Sequence, residues 1–92
     1  MRVIKHLGTD GGADAPYDDC GEVVFTDTTE RESNRLSGFA EHVDRFARKG
    51  CGVGFGLPKD AALVVWVSAS SKKGLKAAVD KIAAAARDFV RR

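Results

Sequence analysis

Apolar residues recur along this chain with two periods, and each change of period marks an element. Met1–Leu7 is β-branched at Val3 and Ile4 and closed by Gly8, which is the pattern of a strand. Thr9–Asp19 carries Gly11-Gly12, Pro16 and the aspartates Asp10, Asp14, Asp18 and Asp19, and reads as a loop. Glu22–Thr26 alternates again, with Val23 and Phe25 on one face of a second strand and Val24 and Thr26 on the other.

The period then lengthens. Thr29 and Glu32 stand at capping-box spacing, where each side chain satisfies an orphan backbone N–H. Leu36, Phe39, Ala40, Val43, Phe46 and Ala47 follow at helical spacing and form one apolar stripe. Arg48 and Lys49 suit the negative end of a helix dipole, and Gly50 suits the left-handed residue that ends a helix. The spacing therefore predicts one helix running up to Gly50. Cys51–Leu57 and Ala61–Ala69 return to period two and predict a hairpin around Pro58-Lys59-Asp60. Its register sets Leu57 opposite Ala61, Phe55 opposite Leu63 and Val53 opposite Val65, with Gly52 facing Trp66. A last helix is expected after Ser70-Ser71, with the stripe Leu75, Ala78, Val79, Ile82, Ala86, Phe89 and Val90.

The order β-β-α-β-β-α predicts a single α+β domain over residues 1–92, in two layers. A four-stranded, mainly antiparallel sheet would carry both helices on one face. Ninety-two residues suffice for one modest core, and 43% hydrophobic with 30% charged residues is ordinary for a globular chain. The longest apolar run, Ala61–Val67, is far short of the roughly 20 residues that span a bilayer. With no hydrophobic leader at the start and only two cysteines, Cys20 and Cys51, the expected setting is cytoplasmic, with reduced thiols and no membrane association.

Within that fold the alternating glycines Gly50, Gly52, Gly54 and Gly56 stand out. Glycine inside a strand weakens it and often marks close approach of another backbone or a ligand. With both helices on the opposite face, Gly52, Gly54, Gly56, Val64 and Trp66 would form a flat, partly apolar surface carrying the only tryptophan. Tryptophan is enriched among binding hot spots, so this surface is the expected contact with a protein partner or a second copy of the chain.

Charge brings in a second class of function. The net charge of +2 hides a segregation: residues 1–32 carry three basic side chains against eight acidic ones, and residues 72–92 carry seven basic against two acidic. Lys72, Lys73, Lys76, Arg87 and Arg91 could contact nucleic acid along the last helix. Ser70, Ser71, Lys72 and Lys73 at that helix's start could instead hold a small anion or phosphometabolite within the Ser68–Gly74 turn, although an N-cap serine explains them more simply. The acidic stretch Asp10–Asp19, with Glu22, Asp27, Glu30 and Glu32, could present carboxylates to a basic partner but lacks a calcium-loop frame.

No motif points to catalysis. The glycine frame of a phosphate-binding loop is missing, and Ser70-x-x-Lys73 lacks the companion motifs of a serine hydrolase. Gly50–Gly56 follows a helix and lies in a strand, the reverse of a dinucleotide-binding context. His6, His42, Cys20 and Cys51 are scattered singly, whereas structural zinc sites pair their ligands at short spacing. The sequence is read as a small non-enzymatic interaction domain, an inhibitor or adaptor, with no cofactor and no metal.

Overall fold

The computed structural model describes residues 1–9 and 15–92. Asp10 and Asp14 of the acidic loop fall outside the described residues, and so does the reading of that loop as one surface. Period-two segments become β1 (Arg2–Leu7), β2 (Asp19–Thr26), β3 (Cys51–Gly56) and β4 (Leu63–Ala69). The helical stripes become α1 (Glu30–Ala40) and α2 (Lys72–Arg91). The strands form one sheet in the order β1-β2-β4-β3, antiparallel throughout, and the chain is a small α+β domain with the order β-β-α-β-β-α. Among the described residues, no helix is long and apolar enough to cross a membrane.

Both helices pack on one face of this sheet. The register aligns Val3, Phe25 and Leu63 in one row across the strands, and Lys5, Val23, Val65 and Phe55 in the next. Side chains directly opposite in a sheet share a face, so these rows lie under the helices. Val23, Phe25, Leu63 and Val65 are fully buried there against Leu36, Val79 and Ile82. The helices meet through Phe39 and Phe89, whose ring centres are 5.8 Å apart.

Local chemistry sets the helix starts. Thr29 Oγ1 accepts from the Glu32 N–H at 3.1 Å while Glu32 Oε1 accepts from the Thr29 N–H at 2.8 Å, completing the capping box. Ser71 caps α2 by accepting from the Gly74 N–H at 3.0 Å.

Two expectations need correction. The first helix stops at Ala40 instead of running to Gly50. There the His42 N–H bonds back to the Phe39 carbonyl, and Val43–Phe46 continues as a 3₁₀ turn. The apolar stripe survives the break only as far as Phe46, because periods of 3 and 3.6 scarcely diverge over four residues. Val43 is buried and Phe46 packs on the core, whereas Ala47 lies beyond the turn in extended backbone and is exposed. Gly50 ends no helix. It is the third residue of the Arg48–Cys51 turn, where the Cys51 N–H donates to the Arg48 carbonyl at 2.8 Å. Its φ of +86° is the left-handed value that such a turn requires and that glycine adopts without strain.

The hairpin register is displaced by two residues from the expected one. Phe55 opposes Val65, Val53 opposes Val67, and Gly54, not Gly52, opposes Trp66. The connection is correspondingly longer, running from Leu57 to Ala62, because the Ala62 N–H is bonded to the Phe25 carbonyl of β2 at 2.8 Å. A shift of two keeps every side chain on its expected face.

Candidate docking face

Among the described residues no helix or strand covers the sheet face opposite the helices, and only its Gly52–Ser68 end lies under the segment around Pro16. Ile4 from β1, Glu22, Val24 and Thr26 from β2, and Val64, Trp66 and Ser68 from β4 point to it, beside the three glycines of β3. Trp66 is 51% exposed although it lies mid-strand in an interior strand. Next to it opens a groove of about 530 Å³. Ile4, Val24, Thr26 and Val64 line its sheet side, Leu57, Pro58, Asp60 and Ala61 form a wall from the β3–β4 connection, and Glu22, Gly56 and Trp66 complete it.

The three glycines do not play the same part. A Cβ at Gly56 would fall 2.5 Å from Cη2 of Trp66, so the indole lies diagonally over bare backbone there. Cross-strand covering of glycine by an aromatic ring is a known way to restore the packing that glycine forgoes. A Cβ at Gly52 would fall 2.4 Å from Cγ of Pro16, so the segment before β2 covers that position. Only Gly54 is open: its nearest neighbour to a Cβ is Cε3 of Trp66 at 3.9 Å. The predicted set Gly52, Gly54, Gly56, Val64 and Trp66 does share one face, but Gly52 and Gly56 are already covered by the chain's own side chains.

Ile4, Val24 and the Leu57–Ala61 wall were not singled out from the sequence. The alternation of Val24 with Val23 and Phe25 carried the signal for β2. What was missing was the strand order, which places β2 directly beside β4 and so extends the Trp66 face by two strands. Charge on this face is sparse. His6 Nδ1 lies 3.2 Å from Glu22 Oε1, an exposed pair at the groove's edge.

The residues considered for anion or nucleic-acid contact sit on the other layer, with α2. Ser71 Oγ is occupied by the N-cap bond, and Ser70, Lys72 and Lys73 are exposed around the first turn. Lys76 is held by Asp80 at 2.8 Å, and Asp80 also accepts from Lys5 at 3.0 Å. These two ammonium groups, Lys76 first, hold the Asp80 carboxyl below its ordinary value. Arg87 and Arg91 are exposed towards the far end of the helix. The basic positions are therefore not brought together with Trp66, and one of them is already paired.

Cys20 is buried, Cys51 half-buried, and both are free thiols. Among the described residues, no three His, Cys, Asp or Glu side chains come together as a metal-binding group. No family model, no curated protein and no solved structure matches the chain significantly.

Proposed function

We propose that the chain is a non-enzymatic interaction domain, an inhibitor or adaptor, that binds another protein through the open sheet face. The observation that supports this reading is Trp66, half-exposed beside an apolar groove lined by Ile4, Val24 and Val64. A half-exposed indole next to such a groove presents the large, rigid apolar area typical of hot spots. The partner supplies an apolar side chain for the groove and a flat surface that approaches the backbone at Gly54. Cellular addressing to the cytoplasm belongs to the same proposal.

The test is capture from the native host with wild-type, Trp66→Ala and Gly54→Val baits, each first shown to be folded by circular dichroism. A partner retained by the wild type should lose about 2 kcal/mol or more of binding with Trp66→Ala. Gly54→Val should block docking by bulk, since valine suits a strand and position 54 has room for a Cβ. Unchanged partners with both folded variants would remove the open face from consideration.

A further inference from the structure

The two edges of the sheet differ in a way that bears on self-association. The Ser70 N–H donates to the Gly50 carbonyl at 2.9 Å, which fixes the alternation of bonds between β3 and β4. Gly52, Gly54 and Gly56 then bond inward to β4, while Cys51, Val53 and Phe55 direct their N–H and C=O groups outward. Cys51 confirms this parity, since both its groups bond Arg48 across the tight turn. Among the described residues, no backbone bond from outside the strands reaches Val53 or Phe55. Among the described residues these two leave their backbone donors and acceptors free, on a strand that contains no charged residue and no proline.

Native sheets commonly blunt such an edge with charge, proline or a covering segment. The opposite edge does so: β1 carries Arg2, Lys5 and His6. The Val43–Phe46 turn packs on the Cys51–Val53 half of β3, but the helix layer stops short of its Phe55 end. Phe55 is 44% exposed although it lies on the helix face, and Leu57 just beyond it is 60% exposed.

We propose that β3 pairs antiparallel with β3 of a second copy of this chain, about a two-fold axis at Phe55. This surface shares Leu57 with the wall of the Trp66 groove but is otherwise separate from it, and it does not depend on the function proposed for that groove. The outward parity of Val53 and Phe55 permits only registers that pair odd positions with odd. In the register centred on Phe55, each Phe55 stacks on its counterpart and each Leu57 covers Val53 of the other copy. One register thus satisfies the free backbone groups and buries both exposed apolar side chains, without placing a charge opposite a like charge within the strand. A second copy is the occupant because the strand is neutral and self-complementary in this register. The two sheets would join into one of eight strands, closed against further growth by the charged β1 edges. Strand-edge contacts are small, so the dimer is weak and concentration-dependent.

Light scattering from about 10 μM to about 1 mM should show the mass rising from one chain to two and no further. Phe55→Lys and Val53→Pro should each weaken dimerisation tenfold or more while remaining folded; proline is tolerated where an edge N–H faces outward. Trp66→Ala should leave dimerisation unchanged. Amide exchange should slow at Val53 and Phe55 as concentration rises, whereas Gly54, already bonded inward, should not respond. A monomer at every concentration overturns the proposal and leaves the edge to a strand from a different protein. A dimer that survives Phe55→Lys overturns it too. A dimer lost only with Trp66→Ala places self-association on the open face and refutes edge pairing alone.

Discussion

Glycine at position 21 answers to a different constraint from glycine at position 54. A Cβ at Gly21 would stand 2.6 Å from the backbone carbonyl oxygen of His6 and 3.3 Å from Leu75. Backbone in a paired strand cannot move aside as a side-chain tip can. Gly21→Ala should therefore destabilise the fold by about 1–3 kcal/mol, the usual range for overpacking, as read by urea unfolding. Gly54→Ala should do the opposite. With its nearest neighbour at 3.9 Å, the new methyl meets only ordinary contact. Removal of a strand glycine should raise stability by roughly 0.5–1 kcal/mol. Nothing in the sequence shows which of these two glycines has room for a side chain, because that depends on what the neighbouring strand and helix place over each.

At the scale of the element, the caps and ion pairs carry the testable energetics. Thr29→Ala removes one half of a complete capping box and should cost about 1 kcal/mol, measurable by thermal melting. Acid should act on the same helix and on α2. The Glu32 carboxyl is held below its ordinary value of 4.5, chiefly by the Thr29 N–H, and Asp80 below 3.8 by Lys76 and then Lys5. A carboxyl whose folded value is depressed contributes stability above its unfolded value and loses that contribution as pH falls through the folded one. The melting temperature should therefore decline as pH drops from about 5 towards about 2, and Asp80→Asn should flatten part of that decline.

Element boundaries also show what the sequence could reveal. The capping box and the α2 stripe were legible because their signals are local to one helix. The end of α1 was not, since a 3₁₀ turn preserves the stripe that a longer helix would have. The β3–β4 register was misplaced because the Ala62–Phe25 bond that lengthens the connection comes from a strand nearly forty residues earlier. The face assignment survived because the error was an even number of residues.

Across the whole molecule, the two layers divide the chain's business. One buries the core between sheet and helices and carries the basic outer surface of α2; the other leaves Trp66 and its groove bare. Half of this candidate site was readable as alternating glycines and a tryptophan. The other half, Ile4 and Val24, became part of it only through the order β1-β2-β4-β3. Substitutions should separate along the same division. Lys73→Ala, Arg87→Ala and Arg91→Ala should leave both stability and partner capture nearly unchanged, since solvated surface charges contribute little. Ile4→Glu or Val24→Glu should abolish capture in a chain that still melts cooperatively, because neither is fully buried.

The chain's single tryptophan lies on the exposed face rather than in the core. Its fluorescence is consequently a reporter of the docking surface and a poor reporter of folding. In the free protein the indole already meets water on one side, so unfolding should move its emission only slightly to the red. A partner seated on the groove would strip that water away and shift the emission to the blue. Binding can therefore be followed on the unlabelled wild type with a partner that lacks tryptophan, while unfolding is better followed by far-ultraviolet circular dichroism.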